Sequence, residues 1–140
     1  MLSVLAVFLG GIVGTGLRFG LDLSMPHSVA EPGWSTIILN VVGSFALGLL
    51  TATLWQRPST PAWLKAGLGA GVLGSFTTFS AVAVSVAIAG MSGSIEAAII
   101  DLGFSLVLGL VAAALGIMTG SKFFSQPDQG TVLSDEGVDL

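Results

Sequence analysis

The feature that most restricts the fold of this chain is a long run, from Ala66 to Ile95, that contains no charged residue. A helix needs about 20 apolar residues to cross the hydrocarbon core of a membrane, and this run is longer than that. Only 9% of the residues in the chain are charged and its mean hydropathy is +0.96, whereas ordinary soluble domains carry about 25% charged residues. The sequence therefore predicts a protein that is embedded in a lipid membrane.

Four segments have the length and composition of membrane-spanning helices. Their approximate ranges are residues 2–21, 34–55, 61–89 and 95–121. The connections between them are rich in Gly, Pro and Ser, which is typical of turns. We therefore predict an all-α membrane protein with four transmembrane helices in one domain, residues 1–122. Residues 123–140 lose apolar periodicity and predict a disordered, acidic C-terminal tail.

The positive charges predict an orientation for these helices. With four spans, both termini and the second loop lie on one side of the membrane, together with Arg57, Lys65 and Lys122. Arg18 lies near the other side. Because cytoplasmic loops carry an excess of Lys and Arg, we expect a multi-pass protein of the cell membrane with both termini in the cytoplasm.

The composition argues against several other classes of protein. A chain without cysteine can form no disulfide and no thiolate metal site. Four Lys and Arg residues provide no basic patch for nucleic acid. The single histidine, His27, lies in a predicted loop with no nucleophile–base pair around it, so we do not expect an enzyme.

The centre of the third span is unusually polar for a membrane helix. The sequence GVLGSFTTFS, from Gly71 to Ser80, combines glycines with serines and threonines. Because glycine is a poor helix former and these hydroxyls compete for backbone hydrogen bonds, we predict that the third helix is broken near its middle. Two such breaks facing each other would expose carbonyl oxygens that suit a hard cation. The alternative is an unbroken helix whose hydroxyls bond to the preceding turn.

Two other spans carry polar atoms along one helical face. These positions are Asn40, Ser44, Gly48 and Thr51 in the second span, and Asp101, Ser105 and Gly109 in the fourth. Within a membrane, such side chains either join helices or line a pathway. Phe79 favours the pathway, since an aromatic ring has a positive edge that can solvate an anion alongside amide and hydroxyl donors.

Three stretches of the chain resemble the signatures of the Fluc (CrcB) fluoride channels. They are GGIVGTGLR at Gly10–Arg18, TIILNVVGSFALG at Thr36–Gly48 and GVLGSFTTFS at Gly71–Ser80. The number and order of the spans agree as well, so the resemblance covers about residues 2–120. It implies an antiparallel, dual-topology dimer with two narrow pores along the subunit interfaces. Cytoplasmic fluoride would leave passively through these pores, which would lower its toxicity in the cell.

The same resemblance implies which residues line each fluoride pore. Asn40 would donate to fluoride, Phe79 would turn a ring edge toward it, and Ser105 would continue the polar track. Thr78 and Ser80 would support that track.

The resemblance also implies a central Na⁺ that is structural and not transported. In this chain the carbonyls that hold it would belong to Gly74 and Thr77. Arg18 resembles the arginine near the end of the first helix in this family, with either a structural role or a role in drawing anions to a vestibule.

The chain departs from the family pattern at two positions. Val82 stands where the family usually has a second phenylalanine, and Asp101 stands where it commonly has tyrosine or asparagine. Valine offers fluoride no positive ring edge, and an ionised aspartate would repel it. We therefore favour a heterodimer with a second, similar subunit over a dual-topology homodimer.

Two other functions are consistent with four short spans. A small multidrug exporter needs a carboxylate deep in the first helix, whereas Asp22 lies at the end of that helix. A non-conducting structural subunit would account for the glycines but leaves the polar third span unexplained. A channel dissipates a fluoride gradient and carries net current, whereas an exporter depends on the proton gradient.

Overall fold

A computed structural model describes residues 1–25 and 33–124, and this part of the chain is helical. Its α-helices are α1 Leu2–Ser24, α2 Trp34–Ala52, α3 Ala62–Ala66, α4 Gly74–Phe76, α5 Phe79–Met91 and α6 Ile95–Phe124. A π-helix, Gly67–Leu73, joins α3 to α4. The predicted loop around His27 and the remainder of the predicted tail, residues 125–140, lie outside the described residues.

Four stretches of the described chain are long and apolar enough to cross a membrane. They are Leu2–Ser24, Trp34–Ala52, Ala62–Met91 and Ile95–Lys122. We refer to Ala62–Met91 as the third span. Large apolar side chains such as Phe8 and Leu110 point outward, as expected when the surrounding solvent is lipid. The prediction of an all-helical membrane protein with four spans is confirmed.

Glycines allow the helices of this bundle to pack with their backbones close together. A Cβ atom at Gly14 of α1 would collide with the carbonyl of Val72 in the third span. Likewise, Gly116 of α6 lies against the carbonyl of Phe45 in α2. In lipid, where apolar burial drives helix association only weakly, such small-residue contacts supply much of the packing. The chain therefore forms two tightly packed pairs, α1 with the third span and α2 with α6.

We expect Gly14→Ala to destabilise the fold by about 1–3 kcal/mol, the usual range for overpacking. The new methyl group would meet backbone, which cannot rotate away as a side chain can. Gly16→Ala is the matched control on the same helix, because no atom from another part of the described chain lies within 4 Å of its Cβ position. The midpoint of thermal unfolding in detergent should fall for Gly14→Ala only. Equal midpoints for the two variants would contradict this packing arrangement.

The backbone of the third span changes conformation at Thr77 and Thr78. Thr77 has φ −84° and ψ 152°, and Thr78 has φ −156° and ψ 127°, so both residues are extended. Helix α5 then starts with Thr78 as its N-cap, whose Oγ1 accepts the Ala81 N–H at 3.3 Å. Threonine is a preferred N-cap residue because its hydroxyl satisfies a backbone N–H that has no partner within the helix.

Candidate functional site

A cavity of about 210 Å³ lies beside the extended residues of the third span. Its lining residues are Asn40, Ser44, Thr77, Thr78, Phe79, Val82, Ser105 and Leu106. The lining therefore comes from α2, the extended segment, α5 and α6. None of these described lining residues is charged, and their polar groups are hydroxyls, one side-chain amide and backbone. Such a cavity can offer neutral hydrogen-bond donors to a small ligand.

Asn40 holds the extended segment through two hydrogen bonds. Its Nδ2 donates to the carbonyl oxygen of Thr78 at 3.1 Å, and its Oδ1 accepts the Thr78 N–H at 2.9 Å. Thr78 therefore gains both backbone partners from one side chain on α2. Because a side-chain amide carries two N–H donors and the Thr78 carbonyl uses one, a second donor remains for a ligand in the cavity.

These side-chain bonds free two carbonyl groups of the third span. In an α-helix the N–H of each residue bonds the carbonyl four residues earlier, so the Thr78 N–H would meet Gly74 and the Ala81 N–H would meet Thr77. Here the Thr78 N–H bonds Asn40 and the Ala81 N–H bonds the Thr78 hydroxyl. The carbonyls of Gly74 and Thr77 are thus released from their helical partners.

Ser105 presents an unsatisfied hydroxyl at this cavity. The residue is 9% exposed, and no group in the described part of the chain forms a hydrogen bond with its Oγ. A buried hydroxyl without a partner costs about 1–3 kcal/mol. A ligand that accepts a hydrogen bond from this O–H would remove that cost.

Phe79 lies at the mouth of the cavity, with 67% of its surface exposed. Few contacts within the chain hold the ring, so it faces outward from the subunit. Val82, one turn further along α5, is only 2% exposed and closes the cavity wall behind it. The cavity wall therefore carries an aliphatic side chain at this position.

Three of the predicted site residues, Gly74, Ser80 and Arg18, lie outside the cavity lining. The Ser80 hydroxyl is 2.9 Å from the Thr78 hydroxyl and exposed. Arg18 lies at the end of α1, with its Nε 3.9 Å from an oxygen of Asp22. Asp22 in turn accepts a hydrogen bond of 2.7 Å from Ser35, at the start of α2. Arg18 thus belongs to a contact between α1 and α2.

The cavity also contains residues that were not among the predicted site residues. Ser44 lies one turn from Asn40 on the predicted polar face of α2, so its position in the sequence could have indicated it. Further along that face Gly48 packs against the backbone of Ala113, and Thr51 bonds the Leu47 carbonyl at 2.7 Å. Asn40 and Ser44 of the predicted polar face therefore line the cavity. Gly48 packs against α6, and the Thr51 hydroxyl bonds within its own helix.

Asp101, one turn before Ser105 on α6, does not line the cavity. It is 2% exposed, and its Oδ1 accepts the Gly33 N–H at 2.7 Å. Its Oδ2 accepts a hydrogen bond from Ser85 of α5. A carboxylate at the first residues of α2 suits the partial positive charge of a helix N-terminus. Asp101 therefore joins α2, α5 and α6.

The fold and the cavity define a small four-span membrane protein with a neutral polar site beside two extended residues of the third span. The model of the CrcB-like protein family, described as Camphor Resistance (CrcB), matches residues 5–117. The chain belongs to the CrcB family. The prediction of this family from the three sequence stretches is confirmed.

Similar curated proteins are named as fluoride channels. The chain is 38% identical over 120 residues, 86% of each chain, to "Fluoride-specific ion channel FluC 2" of Ligilactobacillus salivarius (strain UCC118). It is 33% identical over 126 residues to "Fluoride-specific ion channel FluC" of Hydrogenovibrio crunogenus (strain DSM 25203 / XCL-2), covering 89% of this chain and 96% of the relative. A relative with the same name from Hyphomonas neptunium (strain ATCC 15444) is 35% identical over 127 residues, covering 89% of this chain and all of the relative.

Proposed function

We propose that this chain is a subunit of a fluoride channel, which lets cytoplasmic fluoride leave down its electrochemical gradient and so lowers its toxicity. Membership of the CrcB family and the names of the relatives support fluoride as the transported ion. The observation that carries the proposal is the cavity. It is lined by uncharged hydrogen-bond donors from several helices, and one of them is the unsatisfied hydroxyl of Ser105.

The chemistry of the lining explains how an anion could pass without a fixed positive charge. The second N–H of Asn40 and the hydroxyl of Ser105 can each replace part of the water shell of fluoride. The positive edge of the Phe79 ring adds a weak attraction. Because none of these groups is charged, the ion would be held weakly enough to leave, as conduction requires.

We infer that a structural Na⁺ is held by the carbonyls of Gly74 and Thr77, and these residues fit that ion. Both carbonyls have lost their helical N–H partners to side-chain bonds. Oxygen atoms, including those of backbone carbonyls, are the ligands that hard cations prefer. Among the described residues there is also no cluster of acidic, histidine or cysteine side chains that could hold a metal instead. The ion would supply positive charge that offsets the exposed carbonyl dipoles.

We further propose that the subunit acts in an antiparallel dimer. Gly74 and Phe79, which belong to the cation site and the cavity mouth, are both exposed on the described subunit. A second subunit on this face would cover the ring and bring further carbonyls to the cation. Because Val82 replaces the expected second ring, we favour a partner of similar fold that supplies it.

Fluoride efflux from lipid vesicles, measured with a fluoride electrode, tests this function. The assembly would be purified through a tag on this chain, so that any second subunit is retained. We expect fluoride to leave within seconds while chloride stays inside. Vesicles that hold fluoride as long as protein-free vesicles would overturn the proposal.

The same assay distinguishes the two kinds of dimer. We expect vesicles that contain only this chain to release fluoride far more slowly than vesicles containing the co-purified assembly, because Val82 and Asp101 are then present in every subunit. Efflux at channel-like rates from the chain alone would show that no second kind of subunit is needed.

A further inference from the structure

Helices α5 and α6 carry two successive layers of residues, the first at the cavity and the second nearer the start of α2. In the first layer, Val82 of α5 and Ser105 of α6 line the cavity. The second layer lies one turn after Val82 on α5 and one turn before Ser105 on α6. There Ser85 donates a hydrogen bond to Asp101. Residues one turn apart on a helix face have Cβ atoms about 5–6 Å apart. Asp101 therefore lies one helical turn from Ser105, whose hydroxyl is unsatisfied in the described part of the chain.

The contacts of Asp101 fix its side chain in this position. Its two oxygens accept from the Gly33 N–H and the Ser85 hydroxyl, and only 2% of its surface is exposed. A side chain held by two helices besides its own cannot turn away when an ion approaches. Water also screens it poorly, since the residue is buried, and the repulsion of an anion is stronger in such surroundings than in bulk solvent.

We propose that Asp101 closes the cavity of this subunit to anions on the side that faces the start of α2. We further propose that its charge obstructs fluoride more than the missing ring at Val82 does. The inference rests on the proposed fluoride channel and adds a residue that determines which way an ion can leave the cavity. An aromatic edge contributes a weak attraction, whereas a full charge one helical turn away acts strongly in a poorly screened site.

Four proteins reconstituted separately into vesicles test this inference through initial fluoride efflux. They are the full-length unmodified chain alone and its Asp101→Asn, Val82→Phe and Glu96→Gln variants. Asparagine keeps the size of the side chain, its acceptor for Gly33 and a polar group for Ser85, but removes the charge. Glu96→Gln is the matched control, because Glu96 is an exposed acid in the first turn of the same helix.

We expect Asp101→Asn to release fluoride at least about tenfold faster than the unmodified chain. Val82→Phe should give a smaller gain, and Glu96→Gln should give none. A purely structural role of Asp101 would leave the rate for Asp101→Asn unchanged or lower it. The inference is overturned if the fluoride efflux rate of Asp101→Asn is no higher than that of the unmodified chain. It is also overturned if Val82→Phe gives the larger gain in efflux. Both criteria apply even if the unmodified chain alone does not conduct.

A second variant keeps the test decisive if Asp101→Asn does not fold. The double variant Asp101→Asn/Ser85→Ala removes the charge together with its hydroxyl partner, while the amide oxygen still accepts the Gly33 N–H. The same criterion of about tenfold faster efflux applies to it. Efflux from the co-purified assembly tests the channel function separately. If that assembly conducts fluoride but the Asp101 variants show the same efflux rate as the unmodified chain, only this inference is contradicted.

Discussion

Asn40→Asp should reduce fluoride efflux by at least about 100-fold while the protein remains folded. A carboxylate has no N–H, so the Thr78 carbonyl would lose its donor and the cavity would lose its second amide donor. The new charge would also stand in a cavity with no charged residue among its described lining. Two like charges about 4 Å apart repel by about 4 kcal/mol at an effective dielectric constant of 20, which is more than a 100-fold change requires.

Gln56→Glu is the matched control for this substitution. Gln56 also carries a side-chain amide that donates to a backbone carbonyl, that of Thr51 at 3.3 Å, but it is exposed outside the cavity. Both variants would be purified with any second subunit and compared by efflux and by elution volume in detergent. We expect the control to transport normally. Asn40→Asp efflux within a few-fold of the unmodified assembly would remove Asn40 from the pathway.

Phe79→Ile should reduce fluoride efflux by about two- to tenfold, with little effect on stability. Edge contacts of an aromatic ring are on the scale of about 0.5–1.5 kcal/mol beyond burial, and 1.36 kcal/mol corresponds to a factor of ten. Because 67% of Phe79 is exposed on the described subunit, the ring contributes little to the fold of that subunit. A flux loss without a stability loss would indicate a role at the ion pathway.

Phe104→Ile provides the comparison for Phe79→Ile. Phe104 is also an exposed ring, but it lies on α6 and does not line the cavity. We expect normal efflux from this variant, measured in the same vesicles. If the Phe79 and Phe104 variants transport equally well, the ring of Phe79 has no special role in conduction.

Sequence alone was sufficient to predict the four spans, and it indicated several residues that line the cavity. The lengths of the apolar segments predict four membrane helices, since the thickness of the bilayer sets that length. The polar residues of three spans also indicated the cavity, because helical spacing places Asn40 beside Ser44 on one face. The structure brings this face together with Thr78, Phe79 and Ser105.

Contacts between distant parts of the chain could not be predicted in this way. The double hydrogen bond of Asn40 joins residues 38 positions apart, and the bond from Gly33 to Asp101 spans 68 positions. Helical periodicity reports which residues share a face, but it does not report which faces meet. Helical spacing places Asp101 one turn from Ser105, but it does not indicate that the Asp101 carboxylate accepts the Gly33 N–H at the start of α2.

Glycine spacing shows the same limit. Gly10 and Gly14 have the four-residue spacing of a packing motif, and both lie against the backbone of the third span. Gly16 and Gly20 have the same spacing, yet no atom within the described chain lies within 4 Å of their Cβ positions. The motif permits a close approach of helices, but only the arrangement of neighbouring helices decides where that approach occurs.

A high-resolution density map of the purified assembly, prepared in sodium salts, would test the central claim most directly. We expect extended backbone at Thr77 and Thr78, hydrogen-bonded to Asn40, and a monovalent cation on the carbonyls of Gly74 and Thr77. A continuous helix in which the Thr78 N–H donates to the Gly74 carbonyl, with no ion beside it, would contradict both the extended segment and the cation site.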